Sequence, residues 1–264
     1  VREGDHWRIN GRKWFTTWAN RAAFSTLFVR TEPAETPAHA AFSMIVVPTD
    51  AEGYRIVREI PVLGMRGCHC EIELKDVVVP AANLLGEPGQ GFRIAQQRLG
   101  PGRIYHCMRW LGQAQRAFDL MCRRANERVA FGSVLADKQL VQKMVFDSAA
   151  DIQSCRLLTL DAARKLDAGD DARNEIALIK AVGARMVHDV IDRAIQVHGA
   201  KGVTGDTPLE RMYRNARFAR IYDGPDEVHI EAVARRILRT YARGEDWDFG
   251  ARALAVEAAT GAAA

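Results

Sequence analysis

Asp223 sits on a tight turn and is the residue of this chain best suited to moving a proton. The stretch Arg211 to Leu238 reads as a short basic helix, an acidic turn at Tyr222-Asp223-Gly224-Pro225, and a second helix. A carboxylate on a Gly-Pro turn, held between packed helices, would serve as a positioned base. A second role competes. As N-cap of the following helix, Asp223 would stabilise that helix by about 1 kcal/mol. A helix N-terminus also favours the ionised carboxylate, which makes it a weak base. Catalysis therefore needs an opposing push from desolvation, as when a ligand closes over the turn.

Other residue types suit ligands. Arg128 lies beside Phe131-Gly132, and its guanidinium offers the planar paired donors that match a pyrophosphate; the alternative is a solvated helix end. Gln196 to Gly202 (QVHGAKG) is rich in small residues that permit close backbone approach, while His198 also suits a neutral histidine at a helix end. Thr17, at the end of Trp14-Phe15-Thr16-Thr17, is a ligand-facing hydroxyl or one exposed strand residue. Cys68-His69-Cys70 has metal-ligating types. Adjacent strand residues point to alternating faces, so they cannot turn together to one ion, and no metal site is expected.

The elements that would position these residues fall into two blocks. Residues 1 to about 80 read as β. His6–Ile9 and Arg12–Thr17 flank Asn10-Gly11, a pair preferred in two-residue hairpin turns. Further strands are expected at Phe24–Arg30, Ala41–Val47, Tyr54–Ile60 and Glu71–Val79. The last alternates polar and apolar, giving one wet face. After Pro80 comes a Gly/Pro linker from Asn83 to Gly91, then a helical pattern. Helices are expected near 90–126, 137–167, 171–198, 208–216 and 226–242, with breaks at Phe131-Gly132, Ala168 to Asp170 and Gly199 to Asp206. Thr207 as N-cap, Pro208 as first helical residue and Glu210 make a capping box. Pro225 would open the last helix, with Asp226 and Glu227 in its first turn. The fold class is α+β: a small antiparallel β-barrel or sandwich at 1–85, an antiparallel four-helix bundle at 86–242, and an Ala-rich, disordered tail at 243–264.

Composition narrows the function classes. With 264 residues, 48% apolar and 27% charged, the chain supports a sizeable core. The net charge of +4 suits an anionic small ligand. No Lys/Arg stripe with interleaved aromatics and no zinc-finger spacing supports nucleic-acid binding. Five cysteines argue for a reducing compartment rather than a disulfide framework. No apolar run reaches membrane-spanning length and VREGDHWRIN is not a signal peptide, so a cytoplasmic location is expected if the source is bacterial. The chain starts without Met, almost inside a strand, which reads as part of a longer polypeptide.

Several segments, in order, resemble the acyl-CoA dehydrogenase family over about Trp7 to Ala242. They are Ile9-Asn10-Gly11-Arg12-Lys13-Trp14-Phe15-Thr16-Thr17; Leu63-Gly64-Met65-Arg66-Gly67 running to Asp76-Val77-Val78-Val79-Pro80; Arg98 to Arg103; Arg128-Val129-Ala130-Phe131-Gly132 with Lys138-Gln139; Gln196 to Gly202; and the Asp223 turn. In the family this turn usually reads Tyr-Glu-Gly-Thr and the glutamate is the catalytic base, so the resemblance makes Asp223 the base. A subset of relatives carries the base one position before the arginine matching Arg103, and here that position is Gly102. The run Asp-Gly-Pro-Asp-Glu-Val-His is closest to a subgroup of the acyl-CoA dehydrogenase 10/11 type.

The resemblance implies FAD as cofactor. Phe15, Thr16 and Thr17 would lie at the flavin ring. Arg128, Phe131, Gln139, Gln196, His198, Gly199 and Ala200 would reach a partner subunit's FAD, with Pro225 and Glu227 on the cofactor side of the turn. Arg103 and Gly224 would lie beside the acyl substrate. It further implies α,β-dehydrogenation of an acyl-CoA in fatty-acid β-oxidation, a homodimer or homotetramer, an electron-transfer flavoprotein as acceptor, a further N-terminal helical domain, and a Thr-Glu-Pro flavin strand ahead of Val1. Thr31-Glu32-Pro33 lies too late to be that strand. Ala200 replaces the family's second glycine. Asp for Glu shortens the reach by one methylene, a displacement that can cost much rate. Two alternatives stay open: a nitroalkane-oxidase-like flavoenzyme, in which a more acidic carbon needs only an aspartate, and a non-catalytic relative binding CoA or a partner.

Overall fold

Trp7 and Ile9 share a buried core with Ile72, Leu74, Val77 and Val79: residues two apart on a strand share a face, and a register shift between Leu74 and Val77 keeps the two pairs on one side. That shared apolar face is the reason the first part of the chain folds as a sheet. The computed structural model describes residues 1–250. It separates into two compact units, Val1–Leu99 and Gly100 onward.

In the first unit, β1 (Arg2–Glu3), β2 (His6–Thr17), β5 (Tyr54–Glu59) and β6 (His69–Pro80) form a sheet in the order β1-β2-β6-β5. A second sheet has the order β3-β4-β7, from Phe24–Arg30, Phe42–Pro48 and Leu84–Leu85. Leu27, Ile45 and Val47 of this sheet share a buried core with Trp7, Ile72 and Val77 of the other, so the unit is a sandwich. Glu71 and Glu73 alternate with buried Ile72 and Leu74, as their pattern requires.

The expected Asn10-Gly11 hairpin does not form. β2 runs unbroken through it, and both halves pair with β6. The register shifts between Ile9 and Gly11, and Gly11 has φ 144°. Asn10 takes its partners from Asp76: its amide donates to Oδ1 at 3.0 Å and its oxygen accepts the Asp76 N–H at 2.7 Å. Asp76 is itself at φ 51°. An Asn-Gly pair supplies positive φ, and here that freedom serves a bulge rather than a chain reversal.

In the second unit α1 (Gly91–Glu127, its part beyond Leu99), α2 (Gln139–Asp167), α3 (Arg173–His198) and α4 (Leu209–Ala219) share one apolar core, and α5 (Asp226–Ala242) packs against α3. The helix ends fall within about three residues of their expected places. Between α1 and α2, where a plain break was expected, β8 (Val129–Ala130) and β9 (Ser133–Val134) make a small hairpin. Gly183 of α3 explains the close packing of three helices: a methyl there would stand 3.2 Å from Trp110 of α1 and 3.3 Å from Cys155 of α2.

The capping box is not realised. α4 starts at Leu209, one residue later than expected, and Thr207 Oγ1 accepts only the Leu209 N–H at 3.4 Å. Glu210 turns forward to Arg214 at i+4 instead of back. α5 begins at Asp226, with Pro225 in the cap position rather than the first turn. At its other end Gly244, at φ 76°, closes the helix: its N–H bonds the Tyr241 carbonyl and the Glu245 N–H bonds that of Thr240. Of the tail expected at 243–264, residues 251–264 lie outside the described residues. All five cysteines are free thiols. Among the described residues no helix is long and apolar enough to cross a membrane.

Candidate active site

The turn between α4 and α5 adopts a conformation that costs energy, and buried donors hold it there. Asp223 has φ 52° and Gly224 φ 101°. A non-glycine residue in the left-handed region costs of order 1 kcal/mol and persists only where its surroundings over-determine it. Gly224 has no substitute: a Cβ would lie 2.6 Å from His229 Nε2. The Asp223 carbonyl accepts from Arg103 Nε at 3.0 Å and from His229 Nε2 at 3.2 Å. The next carbonyl, Gly224, accepts from Lys180 Nζ at 2.8 Å, and the same ammonium donates to the Ala219 carbonyl at 2.7 Å. Lys180 is 0% exposed. Below the turn, Asp226 (1% exposed) pairs with Arg220 Nε at 2.7 Å. α5 starts at Asp226 with Pro225 in the cap position, so Asp223 lies two residues ahead of the cap.

The Asp223 side chain turns to α1. His106 Nε2 lies 2.7 Å from Asp223 Oδ2. The imidazole stacks on Trp110, with centroids 5.7 Å apart at 19°, and lies 4.8 Å from the Tyr222 ring. Trp110 Nε1 donates to Tyr222 Oη at 3.0 Å. Lys180 Nζ sits over both rings, 5.8 Å from Trp110 and 5.9 Å from Tyr222. A partly desolvated carboxylate therefore lies at the edge of an aromatic and cationic nest, with its backbone fixed from below.

Burial shapes the titration of these groups. It lowers the pKa of Lys180 and of Arg103 below their ordinary values, with Asp226 and Asp223 respectively opposing the shift. It raises the Tyr222 hydroxyl. His229 is pushed down by burial, against the pull of its bond to the Asp223 carbonyl. A histidine whose folded pKa is depressed stabilises the fold above its unfolded value of about 6.5, and that contribution is lost as pH falls through the folded pKa. The denaturation midpoint of the helical unit, followed by far-ultraviolet circular dichroism, is expected to drop as pH falls below about 6.5. His229→Gln, which keeps a donor for the carbonyl, should flatten that drop.

The remaining expected residues lie elsewhere. Arg103 and Gly224 join Asp223, while Pro225, in the cap position, and Glu227, in the first turn of α5, are exposed. Phe15 is half exposed beside Trp14, with ring centroids 5.2 Å apart, and 4.8 Å from His69. Thr16 is half-buried, and Thr17 Oγ1 lies 3.1 Å from His69 Nδ1. Arg128 precedes the β8–β9 hairpin, whose tip is Phe131, 97% exposed at φ 52°. Gln139 begins α2 on its exposed side. At the end of α3, Gln196, Gly199 and Ala200 are exposed, whereas His198 is buried and donates from Nδ1 to the Ala194 carbonyl at 2.8 Å. Among the described residues no group of three His, Cys, Asp or Glu is placed to hold a metal ion.

Residues 1–77 match the acyl-CoA dehydrogenase middle domain, and residues 89–238 match the acyl-CoA dehydrogenase C-terminal domain. The chain belongs to the acyl-CoA dehydrogenase family. It is 52% identical to the probable acyl-CoA dehydrogenase FadE2 of Mycobacterium tuberculosis, over 89% of this chain and 59% of that protein. It is 42% identical to acyl-CoA dehydrogenase family member 11 of Homo sapiens, over 92% of this chain and 32% of that one. A solved structure of a putative acyl-CoA dehydrogenase from Mycobacterium abscessus superposes with a TM-score of 0.87 at 39% identity, covering 91% of this chain and 60% of that one. The chain thus spans about three fifths of FadE2 and about a third of family member 11. For an acyl-CoA dehydrogenase middle and C-terminal domain, the α+β order and the helical bundle are the family's own architecture.

His106, Trp110, Lys180 and Tyr222 were not singled out from the sequence as parts of a site. His106 follows Arg103 by three residues on one helix, hence on the same face. Lys180 interrupts the buried stripe of Ile176, Ile179, Gly183 and Val187. A lysine on a core face was the legible signal there.

Proposed function

We propose that this chain supplies the catalytic base and part of the cofactor and substrate surface of an FAD-dependent acyl-CoA dehydrogenase. The observation that carries the reading is the Asp223 turn, where a carboxylate is anchored by His106 and its own carbonyl is gripped by Arg103 and His229. Such a group starts its reaction already oriented. Asp223 takes the proton from the carbon next to the thioester. The backbone N–H of Asp223 is assigned to the thioester oxygen, where negative charge grows as the proton leaves. Arg103 and Gly224 line the acyl side.

The residues present fit FAD. Phe15, with Trp14, offers an exposed aromatic surface beside the Thr17 hydroxyl, and Phe15, Thr16 and Thr17 would face the flavin ring. Arg128 is an exposed planar donor next to a bare phenylalanine, and Gly199 has open space where a side chain would be. Arg128, Phe131 and Gln139 would meet the pyrophosphate half, with Gln196, His198, Gly199 and Ala200 at the adenine half, of a partner subunit's cofactor. Pro225 and Glu227 complete the cofactor side of the turn. When bound, FAD supplies the acceptor for the hydride that leaves the β-carbon. The same reading carries a homodimer or homotetramer and an electron-transfer flavoprotein as acceptor.

The test is anaerobic bleaching of the full-length flavoprotein with a panel of acyl-CoAs. Loss of the oxidised flavin band with an acyl-CoA is the expected result. Bleaching by a nitroalkane alone would transfer the reading to a nitroalkane-oxidase-like enzyme. A full-length protein that purifies without flavin would favour a non-catalytic, CoA- or partner-binding relative.

A further inference from the structure

We infer that His106 is a positioning residue for Asp223: a neutral imidazole, protonated on Nε2, that fixes the carboxylate through Oδ2. The inference rests on the proposed role of Asp223 as base and goes beyond it. Three observations on α1 and the turn converge. His106 Nε2 and Asp223 Oδ2 are 2.7 Å apart, so one proton lies between them. The other ring nitrogen, Nδ1, is contacted by the Arg109 guanidinium. Arginine has donors only, so a hydrogen bond at this contact uses the Nδ1 lone pair. The neutral ring then carries its hydrogen on Nε2, where it can donate to the carboxylate. Finally, the ring cannot swing away. Trp110 stacks on it and Tyr222 lies at 4.8 Å, and those two side chains are themselves joined by a 3.0 Å hydrogen bond.

The chemistry gives this arrangement a purpose. An aspartate has one methylene less than a glutamate, so it cannot adjust its reach as freely by rotation. Its backbone is already fixed at φ 52° by donors on Asp223 and Gly224. What remains is rotation of the carboxylate about the side chain. A donor on Oδ2 removes that freedom, and a misplacement of about 1 Å at a reacting group can cost roughly 10²-fold in rate. Arg103 donates to the backbone carbonyl of Asp223.

The experiment uses the full-length holoenzyme and compares His106→Phe, His106→Gln and Asp223→Asn. Phenylalanine keeps a ring between Trp110 and Tyr222 but cannot donate; glutamine donates without a ring. Single-turnover flavin reduction at saturating acyl-CoA should fall about 10²-fold in His106→Phe with acyl-CoA affinity changed less, and His106→Gln should recover most of that loss. Long-range proton–nitrogen NMR of the histidine side chains supplies a readout independent of turnover: His106 should show a protonated Nε2 and a bare Nδ1, and its Nε2 resonance should move in Asp223→Asn. A protonated Nδ1, or wild-type reduction by His106→Phe, overturns the inference. If His106→Phe loses flavin and melts early, His106→Gln and the NMR tautomer decide alone. The base reading fails separately, when Asp223→Asn reduces flavin at the wild-type rate.

Discussion

Asp223→Asn is expected to slow acyl-CoA-driven flavin reduction by about 10²–10⁴-fold, the range that a general base contributes. Asparagine is the informative choice. It keeps the volume of the side chain, and its oxygen can still accept from His106. It also enters the left-handed region more readily than most residues, so the φ 52° of position 223 is preserved. What it lacks is a carboxylate able to take a proton. Stopped-flow reduction under saturating acyl-CoA measures the effect, and an unchanged melting temperature with retained flavin shows that only the chemistry was removed. A loss below about tenfold would mean that another group removes the proton. Gly102, next to Arg103, has no side chain to do so.

How much of this was legible beforehand depended on whether the signal was local. Alternating Glu71 to Lys75 and the long apolar stripes of α1, α2 and α3 set element type through nearest neighbours, and those elements formed where expected. Asn10-Gly11 failed because a turn pair only states that positive φ is available. Whether the chain reverses there or bulges depends on Asp76, which lies sixty-six residues away. The box at Thr207 to Glu210 failed for a similar reason. Glu210 could turn either way, and Arg214 on the next turn captured it.

The site divides along the same line. Asp223 and Gly224 were expected from the local turn and Arg103 from the resemblance, and the fold brings Arg103 to the Asp223 carbonyl. Their supporting groups come from α1 and α3, far apart in sequence, and no local pattern announces that His106, Lys180 and His229 converge on one turn. The cap role proposed for Asp223 was sound as a local argument. The fold puts Pro225 in the cap position, with the buried Asp226–Arg220 pair at the start of α5 and Asp223 in the turn ahead of it.

Lys180→Met should be the most destabilising single change around the site, lowering the unfolding free energy by about 3–5 kcal/mol. Methionine is unbranched and only one heavy atom shorter, so most of the cost is electrostatic. Two carbonyls, Ala219 and Gly224, would lose the donor that bridges the end of α4 to the turn, and each buried acceptor left unpaired costs about 1–3 kcal/mol. Asp226 would lose a nearby cation, although Arg220 remains. One term runs the other way. Burial already depresses the lysine pKa, so holding the ammonium in the core has a desolvation cost that methionine removes. The carbonyls decide the sign, because methionine cannot donate to them and the turn is too tightly packed over His229 to admit an easy shift. Denaturant unfolding should show the lower midpoint, and amide hydrogen exchange should rise first across 219–226 rather than along the whole bundle. Because the same bonds hold Asp223 in its strained conformation, flavin reduction in the surviving folded protein should slow as well. A midpoint within 1 kcal/mol of wild type would show instead that desolvation and hydrogen bonding at Lys180 nearly cancel, and the strain at Asp223 would then have to be held by Arg103 and His229 alone.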